Sequence, residues 1–333
     1  MSKKTRVAIN GFGRIGRVTF KNLIQQPEIE VVGINDLADC HTLAHLLKYD
    51  SVHGRFPYDV VASESAITVN GKETPIIAEK DPAKLPWSQL DVDVVLECTG
   101  RFTDSQSCSM HLNAGAKRVI LSAPAKDPMK TVVLGVNDHL LSREDLIISN
   151  ASCTTNNAAP MIRLLDEHLG VESAYVTTVH AYTGDQNLHD APHKDLRRAR
   201  AAAVSIIPTT TGAAKAITEV FPHLKGKIGG AGIRVPVPDG SLTDITCVVR
   251  KSLPTEAVNQ LFKSASMNEL KGVLEYTEDP VVSIDIIGNR HSCIFDAGLT
   301  SVIGNMVKVV GWYDNEAGYS ARLTDLIIRL SKL

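Results

Sequence analysis

No segment of this 333-residue chain restricts its fold as much as Gly11-Phe12-Gly13-Arg14-Ile15-Gly16. The apolar run Val7-Ala8-Ile9-Asn10 precedes it. A helical pattern over residues 13–25 follows, with Ile15, Phe20, Leu23 and Ile24 available for one face. A strand that enters a helix through such a turn needs glycine for the bend, for close approach of the backbone to a pyrophosphate, and for helix–strand packing. The helix N-terminus then offers N–H groups and the positive end of its dipole to phosphate. Asp36 ends a second strand-like run twenty residues after Gly16. A carboxylate there accepts hydrogen bonds from the adenosine ribose hydroxyls and repels a 2′-phosphate, so NAD is the expected cofactor.

The rest of the first half keeps this rhythm. Residues 94–100, 119–123 and 131–136 are short apolar runs, as expected of parallel strands covered on both faces. Strand and helix alternation predicts an α/β, Rossmann-type doubly wound sheet over residues 1–150. Thr99 and Ser122 close strands of that sheet, where such folds bind their cofactor. The second half differs. Residues 242–250, 281–287, 293–302 and 306–312 read as longer strands, with a helix opened by Pro254. That pattern predicts an α+β domain with a mixed or antiparallel sheet over residues 151–315. Tyr319, Leu323, Leu326, Ile327 and Leu330 stand at helical spacing, so residues 316–333 are expected to form a final amphipathic helix.

Composition excludes several classes. The formal charge of −2 is not that of a nucleic-acid binder. No apolar stretch reaches the roughly 18 residues that span a bilayer, so no membrane partner is expected. The six cysteines include no CxxC pair, which argues against a metal site or a disulfide framework and favours a reducing, cytoplasmic compartment. Met1-Ser2-Lys3-Lys4-Thr5-Arg6 leaves no room for a leader before the first strand. Ser331-Lys332-Leu333 spells a peroxisomal address, but a frayed helix end is the preferred reading of so short a match.

Cys153 lies in Ser149-Asn150-Ala151-Ser152-Cys153-Thr154-Thr155-Asn156, between a strand and a helical pattern. At a helix N-terminus a thiolate is favoured, so its pKa is expected to fall. A cysteine nucleophile needs a base. His180 ends an apolar run, residues 174–179, and enters a polar loop. Spacing alone does not separate His180 from His193.

These segments, with Pro208-Thr209-Thr210-Thr211-Gly212-Ala213-Ala214-Lys215 and Trp312-Tyr313-Asp314-Asn315-Glu316, resemble the phosphorylating glyceraldehyde-3-phosphate dehydrogenases. The likeness runs from Arg6 to the last helix and has a bacterial look at residues 46–54 and 196–200. It implies a homotetramer in which Cys153 attacks the aldehyde of glyceraldehyde 3-phosphate and His180 takes the proton. Hydride then passes to NAD, and inorganic phosphate releases the acyl group. It further implies that Thr183, Asp185 and Arg234 serve the substrate phosphate. Ser152, Thr154, Thr211, Gly212 and Arg198 would serve the attacking phosphate. Arg14, Ile15, Lys80, Asn315 and Tyr319 would join Gly11, Gly13, Gly16, Asp36, Thr99 and Ser122 around the cofactor, Asn315 on the nicotinamide carboxamide. The last helix would pack back on the cofactor domain.

Three positions depart from the family pattern. Asn157 stands where many relatives carry a second cysteine, Lys80 replaces a frequent arginine, and Ala191 replaces a leucine before Pro192. Ala191 opens space near the ribose 2′-hydroxyl while Asp36 still repels a phosphate, so strong NAD preference with weak NADP use is expected. The nearest alternative is erythrose-4-phosphate dehydrogenase, which lacks the threonine run and the Tyr-Thr seen here at 182–183. Aspartate-semialdehyde-type dehydrogenases and a non-catalytic binding paralogue are further alternatives.

Overall fold

A computed structural model describes residues 3–333; Met1-Ser2, part of the segment read above against a leader, lies outside them. The described chain forms two compact units. One comprises the residues up to Val132, Leu140–Ala151 and Ser320–Leu333, and the other Val133–His139 and Ser152–Tyr319.

The first unit holds a sheet in the order Val60–Ala62, Ala66–Val69, Lys72–Ile77, Ile29–Asn35, Thr5–Asn10, Val94–Glu97, Arg118–Leu121, Ile147–Ser149, Lys130–Thr131. Thr5–Asn10 pairs in parallel with Ile29–Asn35 on one side and Val94–Glu97 on the other. The strand order therefore reverses there, which opens a crevice at the carboxyl ends of the strands. Val7, Ala8, Ile9, Val95 and Leu96 are fully buried, as continuous apolar strands must be when both faces are covered. In the final helix, Ala317–Leu330, the part from Ser320 onward belongs to this unit and buries Leu323, Leu326, Ile327 and Leu330.

The second unit is built on the order Ile207–Thr209, Ile228–Val235, Val171–Ala181, Ser241–Val249, Met306–Tyr313, Cys293–Asp296, Leu274–Thr277, with Ser301–Ile303 added to Met306–Tyr313. Its pairings are mixed: Val171–Ala181 is parallel to Ile228–Val235 and antiparallel to Ser241–Val249. Ser241–Val249 alternates strictly between buried and half-buried residues. Its buried face meets a core that includes Met161, Leu165, Ile245, Phe262 and Phe295, the last two stacked at 3.9 Å. No helix among the described residues is long and apolar enough to cross a membrane.

Several expected elements differ. Residues 281–287 are not a strand but a 3-10 turn at Ser283–Ile286, in which the Asp285 carboxylate accepts from Val282 N–H at 2.8 Å. Val282 and Ile284 are exposed there, so their β-branched shape misled the expectation. Residues 293–302 break where Asp296 accepts from Gly298 N–H and opens the turn Ala297–Leu299. Of 131–136 only Thr131 pairs, after which Asn137 and Asp138 take the N–H groups of Val133 and Gly135. Pro254 is the N-cap of the helix Thr255–Met267 rather than its first residue.

Candidate active site

In the first unit a cavity of about 340 Å³ is lined by residues that include Gly11, Gly13, Asp36, Lys80 and Thr99. Gly11 has φ +94°, and a Cβ there would lie 2.8 Å from the Cys98–Thr99 backbone. A Cβ on Gly16 would lie 2.2 Å from the Gly11 carbonyl oxygen. Both positions therefore exclude a side chain. Gly13 faces open space and caps the helix Arg14–Leu23, which has no side-chain cap and no acid in its first turn. Its orphan N–H groups fit a pyrophosphate. Asp36 accepts from Phe12 N–H at 2.7 Å and from Ala38 N–H at 3.0 Å, so it ties the glycine turn to the second strand. The Arg14 side chain is held by buried Asp50 at 2.9 Å. Ile15 is half-buried. Ser122 lies off the cavity lining, with its hydroxyl on the Cys98 thiol.

Beneath this cavity sits a fully buried carboxylate, Glu97. It accepts from Asn10 Nδ2 at 2.5 Å, from Thr99 N–H at 2.8 Å and from the Thr99 hydroxyl. His111 Nε2 lies 3.0 Å from it, and Trp87 Nε1 lies 3.0 Å from His111 Nδ1. An indole nitrogen can only donate, so Nδ1 accepts and Nε2–H donates to Glu97.

In the second unit the helix Cys153–Leu169 starts at the predicted nucleophile, and Ser152 caps it by accepting from Thr155 N–H at 3.1 Å. Ala151 before it is buried at φ +54°, a strained conformation for a residue with a Cβ. Cys153 Sγ lies 3.4 Å from His180 Nε2. His180 does not end its strand but lies within Val171–Ala181, opposite Arg234 of Ile228–Val235. His193 is engaged elsewhere, with Asp195. Arg234 Nη1 lies 3.0 Å from each of Ala181 O, Thr183 Oγ1 and His180 Nδ1. Its two hydrogens satisfy the two oxygens. His180 Nδ1–H can then donate to Ala181 O at 2.7 Å, which leaves Nε2 as the acceptor facing the thiol.

The thiol does not shift as expected. Burial pushes Cys153 up to about 11, against the opposing pull of Arg234. Burial and then Arg234 push His180 down to about 3. The helix N-terminus favours the thiolate, but desolvation of the thiol outweighs it. Both shifts favour the thiol and the neutral imidazole over the separately charged forms. Moving the proton from Sγ to Nε2 leaves the pair's net charge unchanged, which costs less than ionising either group alone.

Around the pair, the Thr183 hydroxyl donates to Asp185, and Arg198 bonds Asp185 at 2.7 Å and Thr209 at 3.0 Å. Burial works to raise the Asp185 carboxyl, but Thr183, Arg234 and Arg198 together hold it below its ordinary value. An ionised carboxylate cannot donate to phosphate, so Asp185 orients Thr183 and Arg198 instead. The Thr154 hydroxyl lies 2.9 Å from Tyr313 OH, itself 2.8 Å from the Thr178 hydroxyl. Thr211 accepts from Ala213 N–H, beside Gly212 at the start of the helix Ala213–Val220. Asn157 donates to Trp312 O, and Cys153 is the sole cysteine of this helix, so oxidation of Cys153 is expected to yield no intrachain disulfide; such a disulfide found by thiol-labelling mass spectrometry after peroxide would contradict this.

Sequence reading gave no role to Tyr313, whose ring meets His180 edge-on at 5.9 Å, or to Asp239. Tyr313 is brought in by strand pairing and Asp239 by the turn between Ile228–Val235 and Ser241–Val249. Burial, then the neighbouring Asp314 and Glu316 charges, raise Asp239 from 3.8 to about 9. The folded chain therefore binds the extra proton between those values, and stability declines as pH rises through them. Asp239→Asn is expected to leave the Tm unchanged near pH 4 and to raise it by several degrees at pH 9 relative to the parent. Parallel Tm–pH curves for the two proteins would contradict the raised pKa of Asp239.

Asn315 follows the strand Met306–Tyr313 and is buried, as is Tyr319 in the first turn of the helix Ala317–Leu330. The cradle for a dinucleotide and the Cys–His pair are the two parts an aldehyde dehydrogenase of this type requires. Family models agree: the glyceraldehyde 3-phosphate dehydrogenase NAD binding domain matches residues 5–105, and the C-terminal domain of the same family matches 152–315. The chain is 55% identical to glyceraldehyde-3-phosphate dehydrogenase of Mycobacterium avium over 98% of each chain. It is 54% identical to glyceraldehyde-3-phosphate dehydrogenase 1 of Bacillus cereus over 97% of each, and to the Geobacillus stearothermophilus enzyme over 96% of each. With motif, geometry and near-full-length identity in agreement, this chain belongs to the glyceraldehyde 3-phosphate dehydrogenase family.

Proposed function

We propose that the chain catalyses the NAD-linked, phosphorylating oxidation of glyceraldehyde 3-phosphate to 1,3-bisphosphoglycerate, a glycolytic reaction. The observation that carries this is the 3.4 Å approach of Cys153 Sγ to a His180 Nε2 whose lone pair faces it. His180 takes the thiol proton as Sγ attacks the aldehyde carbon, and returns it to the oxygen of the resulting hemithioacetal. It withdraws that proton again as the carbon–hydrogen bond breaks, which leaves a thioester on Cys153. Bound NAD supplies the hydride acceptor. Gly11, Gly13 and Gly16 would seat its pyrophosphate, Asp36 its ribose, and Asn315 its carboxamide. A phosphate oxygen then attacks the thioester and the Cys153 thiolate leaves. Arg234 with Thr183 would hold the substrate phosphate. Arg198, Ser152, Thr211 and Gly212 would hold the attacking one.

The relatives are bacterial, which supports a cytoplasmic setting over the organelle reading of Ser331-Lys332-Leu333. We further propose a homotetramer. NADH formation should require both glyceraldehyde 3-phosphate and inorganic phosphate or arsenate. Turnover without phosphate would favour the erythrose-4-phosphate branch, and NAD binding without turnover the binding paralogue. Replacing Asp36 by Gly should raise kcat/KM for NADP about tenfold or more by removing a like charge, at some cost to NAD because Phe12 N–H loses its acceptor.

A further inference from the structure

Ser241 opens the strand Ser241–Val249 and pairs in register with Tyr313, two residues before Asn315. Its side chain is 1% exposed, so its hydroxyl must be satisfied inside the protein. Ala181 N–H donates to Ser241 Oγ at 3.0 Å, which occupies one lone pair. Ser241 Oγ lies 2.8 Å from Asn315 Oδ1. The hydroxyl carries one hydrogen, and Asn315 Oδ1 is its acceptor. Turning the Asn315 amide over would point an N–H at the oxygen and leave the hydroxyl hydrogen without this acceptor. The amide is thereby oriented, with Oδ1 bound inward and Nδ2 left as the donor.

We infer that Ser241 is a positioning residue for hydride transfer: it sets the orientation of the Asn315 amide and ties it to Ala181, whose carbonyl holds His180 and Arg234. One hydroxyl thus links the segment that carries the base to the residue that presents a donor toward the nicotinamide carboxamide. Without that hydrogen bond the amide has two orientations of similar energy, and one offers an acceptor oxygen where the carboxamide oxygen needs a donor. The inference rests on the proposed role of Asn315.

The test uses the full-length enzyme in four forms: the parent, Ser241→Ala, Asn315→Ala and the double variant. Three quantities are measured on each: KM for NAD, the stereochemical purity of deuteride transfer from 1-deuterated substrate to nicotinamide C4, and the alkylation rate of Cys153. Ser241→Ala should raise KM for NAD about tenfold, the effect of one lost buried hydrogen bond. It should also lower stereochemical purity, with the alkylation rate unchanged. The double variant should be no worse than Asn315→Ala. Effects that multiply in the double variant, a Ser241→Ala protein that keeps parental KM and purity, or a loss of alkylation with folding would overturn the inference. If Asn315→Ala itself keeps parental KM and purity, the cofactor role of Asn315 fails, and the role of Ser241 falls with it.

Discussion

Replacing His180 by Asn is expected to lower kcat about 10³-fold, within the range that a positioned base contributes. Desolvation favours the protonated thiol, and Nε2 of His180 is the proton acceptor within reach of it at 3.4 Å. Asn keeps a hydrogen-bonding group near Arg234 but offers no comparable base. NAD binding, followed by quenching of intrinsic fluorescence, should stay within a factor of about two because no cofactor contact is assigned to His180. Cys153→Ala, in contrast, should remove phosphate-dependent turnover altogether, since no thioester can form. Retention of more than a tenth of parental kcat by His180→Asn would exclude His180 as the base.

The second large effect is on stability. Glu97→Ala is expected to cost about 3–5 kcal/mol, the usual consequence of removing one partner from a buried charged cluster. Four donors converge on this carboxylate: the Asn10 amide, the His111 imidazole, and the Thr99 N–H and hydroxyl. The Asn10 amide and the His111 imidazole, both buried, would be left without this acceptor, whereas half-buried Thr99 faces the cavity. Glu97→Gln should cost less, because one amide oxygen still serves Thr99. Its NH2 group, however, would oppose the donors of Asn10 and His111. Denaturant midpoints measured for both variants check this. A loss below about 1 kcal/mol for Glu97→Ala would mean that the cluster relaxes or fills with water.

The cofactor cradle was legible in the sequence because its geometry is local. Gly11, Gly13 and Gly16 lie in one turn, and Asp36 directly follows the next strand, Ile29–Asn35. Cys153 was legible for the same reason, as the first residue of its helix. The direction of its pKa shift was not. A helix N-terminus favours a thiolate, but burial acts on the same thiol more strongly and depends on packing from distant segments. Residues 281–287 failed similarly, since Val281, Val282, Ile284 and Ile286 suggest a strand until Asp285 is seen capping a turn. The Glu97 cluster drew no attention, because Asn10, Trp87, Glu97, Thr99 and His111 meet only when parallel strands and a helix assemble.

By itself, then, the sequence determined where the dinucleotide turn lies, which strand follows it, and which cysteine begins a helix. These are consequences of backbone sterics and of apolar periodicity, which act over a few residues. Tertiary structure decided which nitrogen of His180 faces the thiol, because Arg234 is its register partner across parallel strands. It also decided which way Asn315 presents its amide, because Ser241 pairs beside it on an antiparallel strand. Hydrogen bonds are short-ranged and directional, so such choices exist only once sheet pairing has brought distant residues within about 3 Å of one another.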